Sequence, residues 1–264
     1  MAAACGWVCL CLFYLDGSSL PDANEQPGLA THLWEQGQAA MGRGQLDEAI
    51  AFYNGSLAAD AGLQRNHLSL AAAYLEKKDR ASACVHLAAY LDSHPDQLLV
   101  RSRYAELLVK LRRWRDARLQ FEFFIAQAQE QGEALADPII NCHSRVVELA
   151  EKNEDAYCEH LHRGIGLYLL GCKRGALSDP EGELPAEGLL CKAAAELTLA
   201  HLQQPDEARP CWYLYGVWSR LNQRQPALCK LRQAESSAPF TYLTPSEQRE
   251  LSLACQAWRA QGRR

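Results

Sequence analysis

A spacing narrows the fold more than any other feature of this chain. Three consecutive windows, 30–63, 64–97 and 98–131, align without a gap. Their eighth places are small (Gly37, Ala71, Ala105) and their twentieth places are all alanine (Ala49, Ala83, Ala117). The eleventh is apolar (Ala40, Tyr74, Leu108), and the twenty-fourth is large and apolar (Tyr53, Leu87, Phe121). Self-similarity at such a period marks stacked supersecondary units that cannot bury their apolar faces alone. Two helices of a hairpin approach to about 8 Å only where facing positions lack bulk. An eighth-place Gly or Ala is therefore expected to lie against the twentieth-place Ala, with the eleventh and twenty-fourth residues filling the space beside them. Pro95 closes the second window.

These windows resemble tetratricopeptide repeats. The first is nearest the pattern, in Trp34-Glu-Gln-Gly37 and in the run from Gln45 through Ala49 to Tyr53. The resemblance implies an all-α fold, a right-handed superhelical α-solenoid of antiparallel helix hairpins, with an inner groove that binds other proteins. The twenty-seventh place, small in that family, is Tyr90 and Phe124 in the second and third windows. This departure predicts that the third repeat packs against something larger than a standard neighbour.

Beyond the third window the pattern loosens. Pro138 to Glu151, Asn153 to Leu170 and Leu189 to Leu202 are predicted helices, and Ser178 to Pro185 is a predicted loop because its Gly and Pro content opposes a helix. A degenerate unit over 208–239 fits the template if its inter-helix turn is one residue short, with Gly216 and Ala227 at the small places. Thr244-Pro-Ser-Glu is a helix start. The expected organisation is an apolar lead-in over 1–28 and regular repeats over 29–134. Degenerate repeats follow over 135–240, with a loop near 174–186, and then a capping helix over 241–264. That amounts to about twelve helices and no strands.

The 27 basic and 32 acidic residues are too evenly mixed to point to a nucleic-acid partner. Of 11 cysteines, eight are scattered singly through helical stretches, with no C-x-x-C pair. That pattern predicts reduced thiols acting as small hydrophobes in the cytoplasm rather than a disulfide framework. The uncharged stretch 1–15 is too short to span a bilayer and lacks a basic start. It is open to three readings: a loose lead-in, a signal sequence, or a membrane tether acylated at Cys5, Cys9 or Cys11. No nucleophile elbow or phosphate loop is present, so no catalytic residue and no cofactor is expected. Cys142-His143 and Cys158-Glu-His160-Leu-His162 form the one Cys/His cluster. Cys158 and His162 stand four apart on one helix face, which permits a zinc site, but the residues fit an ordinary amphipathic helix as well.

The resemblance assigns the inner surface to first-helix places. Those candidates are Trp34, Gln38 and Met41 in the first repeat, Leu68, Ala72 and Leu75 in the second, and Leu99, Arg103, Glu106 and Val109 in the third. Chaperone-binding relatives clamp a terminal carboxylate there, and of the matching places (Trp34, Gln38, Ser69, Leu99, Arg103) only Arg103 keeps the pattern. A desolvated carboxylate needs matching charge and donors, which Trp34 and Leu99 do not supply. The mixed, largely apolar lining suits an amphipathic helix or an extended segment, with Trp34 as the expected anchor. The leading expectation is a non-catalytic scaffold with one or more protein partners. The alternatives are a co-chaperone or assembly factor, and an adaptor tethered through residues 1–15. Nothing in the sequence sets an oligomeric state.

Overall fold

The structure, a computed structural model, describes residues 26–132, 135–177 and 185–261. Among these the chain forms twelve α-helices, a 3-10 turn at Ala238–Phe240 and no strand. The first six helices are α1 (Gln26–Gly42), α2 (Leu46–Ala59), α3 (Arg65–Glu76), α4 (Arg80–Ser93), α5 (Leu98–Lys110) and α6 (Trp114–Glu130). Helices α3 and α5 start within a residue of the second and third windows, whereas α1 starts four residues before the first. After them come α7 (Ala136–Lys152), α8 (Ala156–Leu177), α9 (Ala186–Gln203), α10 (Ala208–Arg220), α11 (Arg224–Ser237) and α12 (Pro245–Gln261). The uncharged stretch 1–15, most of the expected loop after Leu177 and the two terminal arginines lie outside the described residues.

The chain divides into two compact units, the first running to His86 and the second from Leu87, so the boundary falls within α4. In the first unit α1 packs on α2 and α2 on α3. Ala40, Ala49, Ile50, Tyr53, Leu70 and Ala73 form its core. The twenty-seventh-place Ser56 is fully buried, donates to the Ala30 carbonyl at 2.5 Å, and accepts from Asn66 Nδ2 at 2.9 Å. One small hydroxyl thus ties three helices together.

In the second unit the helices from α5 to α11 pack each on the next, and α12 lies against both α11 and α6. The 22-residue α8 is its spine. Added Cβ atoms on Gly164 and Gly171 would lie 2.6 Å from Leu197 and 3.2 Å from Leu190, so the two glycines let α9 approach α8 closely along their length. Helix α8 continues past its expected end near Leu170, with Gly171 packed against Leu190 and Ala186 of α9 and Lys173 paired with Asp137 of α7. Extra bulk beside α6 is supplied by α7 and α12, as Phe124 at the twenty-seventh place, itself buried, leads one to expect.

Two expectations need correction. The unit over 208–239 has no shortened turn, since Leu221, Asn222 and Gln223 link α10 to α11 as Arg43, Gly44 and Gln45 link α1 to α2. Gly216 faces the Tyr168 ring of α8, which lies outside its own hairpin. The eighth-place glycine is likewise not governed by the twentieth-place alanine. What a Cβ on Gly37 would strike is the Tyr53 ring, at 2.5 Å. A vacancy on the first helix is filled by the large twenty-fourth residue of the second.

Candidate functional site

Which face each first helix presents depends on the turn that follows it. Gly44, Lys78 and Arg112 all adopt the left-handed conformation, with φ of 73°, 64° and 58°. They stand at the same place of successive windows. The next residue in each turn sends its N–H back to the eleventh-place carbonyl: Gln45 to Ala40 at 3.0 Å, Asp79 to Tyr74 at 2.8 Å, and Arg113 to Leu108 at 3.0 Å. This is the six-to-one closure that ends a helix and starts the next at a fixed angle. Glu154 and Asn222 repeat it, with Asp155 returning to Ala150 at 3.0 Å and Gln223 to Trp218 at 2.9 Å. The same turn therefore sets α1 against α2, α3 against α4, α5 against α6, α7 against α8 and α10 against α11.

Among the described residues, five helix hairpins are thus closed by one recurring turn.

In the first unit, the candidate surface residues differ sharply in freedom. Trp34 is half-buried against the core, its Nε1 donates to Ser69 Oγ at 3.0 Å, and the Arg65 guanidinium lies 4.2 Å from its ring centroid. Gln38 Nε2 donates to the same hydroxyl at 3.3 Å. The indole of the expected anchor is thus held in place by its own neighbours. Met41 also packs on the core. Leu68, Ala72 and Leu75 are three and four residues apart on α3, so they share one face. Ala72 is exposed, Leu75 is 44% exposed and Leu68 half-buried.

In the second unit, Leu99 is 68% exposed, Arg103 is exposed and Val109 is half-buried. Glu106 is engaged, accepting from Arg145 Nε at 2.9 Å and Nη2 at 2.8 Å, a two-pronged pair between α5 and α7.

The same unit holds a cavity of about 620 Å³ that no first-helix reasoning would find, because its wall is a second helix. Arg118, Leu119, Glu122, Phe123 and Ala126 of α6 line one side. Asp155, Tyr157, Cys158 and His162 line another, with Arg209, Tyr242 and Thr244 completing it. Its floor is polar and fixed. Arg209 Nε donates to Glu247 Oε1 at 2.9 Å, and Tyr213 Oη donates to the same oxygen at 2.8 Å. Arg118 holds Asp155 at 2.5 Å and stands 3.6 Å from Glu122.

Burial dominates the chemistry of the Cys/His cluster. The Cys142 and Cys158 thiols are each pushed up to about 12 by desolvation, which leaves them protonated and unreactive on their own. Fully buried His143 is lowered to about 3, and His162 is lowered well below its ordinary value by burial and by His143. Their Nδ1 atoms meet at 2.9 Å, so one ring donates and the other accepts. His160 turns away to Glu196 at 2.7 Å. Glu122, Cys158 and His162 bring ligand atoms within 4.8 Å of one another, a grouping that joins α6 to α8. Sequence reasoning paired Cys158 with His162 by their spacing but had no signal for Glu122, 36 residues before Cys158.

No protein-family model matches the chain, and no curated protein matches it. Among solved structures it is similar to PilF of Pseudomonas aeruginosa, at 14% identity and a TM-score of 0.37, covering 86% of this chain and 98% of that one. YrrB, described as a tetratricopeptide protein with an unusual peptide-binding site, is 16% identical with a TM-score of 0.30, covering 86% and 92%. TTC0263 of Thermus thermophilus is 17% identical with a TM-score of 0.30, covering 86% and 99%. No described helix is long and apolar enough to cross a membrane.

Proposed function

We propose that this chain is a tetratricopeptide-repeat protein and a non-catalytic scaffold that holds a helix or an extended segment of another protein on its first-helix surface. The observation that carries the reading is the stripe Leu68, Ala72, Leu75 on α3, three apolar side chains on one helix face with Ala72 and Leu75 open to solvent. Exposed apolar surface of this kind marks a contact site more often than it marks chance. Leu99 offers a comparable position in the second unit, with Arg103 available to a partner's carboxylate. A cytoplasmic setting accords with buried thiols at Cys142, Cys158, Cys211 and Cys255, which serve as small core residues.

A carboxylate clamp of the co-chaperone kind has less support, since Ser69 at one of its places is already bonded to Trp34 and Gln38 at two others. The test is proximity labelling in cells with wild type, Leu75→Glu and Val85→Glu. Val85 is an exposed residue of α4, 66% open to solvent, and serves as the control. Leu75→Glu is expected to lose a set of labelled proteins that Val85→Glu keeps. Identical labelling by all three would sink the reading.

A further inference from the structure

The Glu122, Cys158 and His162 cluster faces the cavity of the second unit, and its geometry is that of an incomplete coordination shell. Cys158 Sγ and His162 Nε2 each stand 3.9 Å from Glu122 Oε1. Bond lengths to zinc of about 2.0–2.3 Å place tetrahedral ligands about 3.3–3.8 Å apart, so both distances to Glu122 are within a few tenths of an ångström of closure, and all three ligand atoms lie within 4.8 Å of one another. The two α8 ligands are fixed by helical spacing, four residues apart on one face. His162 presents Nε2 to the cluster because its Nδ1 is engaged with His143 at 2.9 Å. An acceptor behind the ligand, usually a carboxylate, carbonyl or water, orients a metal-binding imidazole and fixes its tautomer, and here His143 Nδ1 takes that place. For His162 Nδ1 to donate, His143 Nδ1 must accept, which puts the His143 proton on its buried Nε2.

We infer that these three side chains bind a zinc-type divalent ion, with the fourth position open to the cavity and filled by water. Charge favours it. The lining carries the carboxylates Glu122, Glu130, Asp155 and Glu207 against the guanidiniums Arg118 and Arg209. Arg118 retains Asp155 at 2.5 Å when Glu122 turns to the ion. Sulfur, imidazole and carboxylate together select zinc over magnesium or calcium, which take oxygen shells. Cys158 loses its proton on binding, and that proton leaves through the cavity to solvent, so one proton is released per ion bound. The bound ion crosslinks α6 to α8 and does not depend on whether a partner docks on α3.

The experiment uses the full chain. Purified protein is loaded with zinc, dialysed and analysed for metal. A parallel sample loaded with cobalt is read for the thiolate-to-cobalt charge-transfer band in the near ultraviolet. Wild type is expected to keep one equivalent of zinc, to show the band, and to melt at higher temperature with zinc than with chelator. Cys158→Ser and Glu122→Gln, near-isosteric changes checked for native circular dichroism, are expected to lose the band and to weaken zinc retention at least tenfold. A double variant of the exposed cysteines, Cys191→Ser with Cys229→Ser, is expected to keep both. Absence of metal and band in wild type overturns the inference. So does a band that survives Cys158→Ser or disappears with the exposed pair.

Discussion

Gly37 and Gly42 lie five residues apart on α1, yet a methyl group at each has opposite consequences. At Gly42 nothing stands within 4 Å of the new carbon, so Gly42→Ala should raise stability by about 0.4–1 kcal/mol through the unfolded chain. At Gly37 the carbon meets a Tyr53 ring that is only 1% exposed and has nowhere to go. Gly37→Ala should therefore cost about 1–3 kcal/mol, despite alanine's better helix propensity. Thermal melts of the two variants decide the matter, and a stabilised Gly37→Ala would refute the interlock with Tyr53. Lys78 and Arg112 occupy left-handed turn positions that Gly44 fills at no steric cost. Arg112→Gly should accordingly gain about 1 kcal/mol. The small residue at each eighth place was legible as a pattern, but its partner was not. A one-dimensional alignment shows that both the twentieth and twenty-fourth places are constrained without showing which one the first helix meets.

At the scale of the hairpin, a rung of polar contacts joins first to second helices at one recurring pair of places. His67 meets His86 Nδ1 to Nδ1 at 3.1 Å in α3/α4, and Arg101 Nη1 donates to Gln120 at 2.6 Å in α5/α6. His143 meets His162 at 2.9 Å in α7/α8. Each pair is nineteen residues apart, so the rung follows from repeat geometry. Only the last of these has a thiol and a carboxylate beyond it. Burial lowers the pKa of both His67 and His86, and His86 stacks on Tyr74 at 5.5 Å. With folded values below the ordinary 6.5 or so, the unfolded chain takes up more protons as pH falls. Stability is complete above that value and declines as pH drops below it. Protection factors of α3 amides against hydrogen exchange should fall between about pH 7 and 5, and His86→Phe should flatten that response. Unchanged acid sensitivity in His86→Phe would place the titrating group elsewhere. Helix number and the repeat windows holding the first six helices were readable because periodicity is local. The cavity was not, because it assembles residues from α6, α8, α10 and the start of α12, whose juxtaposition no period encodes.

Over the second unit as a whole, α12 closes the stack. Thr244 and Glu247 form a capping box at its start, with Thr244 Oγ1 accepting from the Glu247 N–H at 3.2 Å and Glu247 Oε2 accepting from the Thr244 N–H at 2.9 Å. Thr244 Oγ1 also donates to Gln129 of α6 at 2.9 Å, and Arg249 reaches Glu130 at 2.6 Å. The other Glu247 oxygen neutralises Arg209, and both side chains are almost wholly enclosed. Glu247→Ala leaves that guanidinium enclosed without a counter-charge and should cost about 3–5 kcal/mol, read by denaturant unfolding. Arg209→Met combined with Glu247→Leu should cost clearly less than the single change, and an equal or larger loss would show that packing, not charge, dominates. The start of the final helix was visible in Thr244-Pro-Ser-Glu, whereas the distant cation it serves, 38 residues earlier, was not. One carboxylate thus does two tasks that mature together, and this sets a clock on biosynthesis. While the chain is still emerging from the ribosome, Arg209 stays hydrated and α10 cannot settle, so the unit from Leu87 onward locks only after residue 247 has been translated.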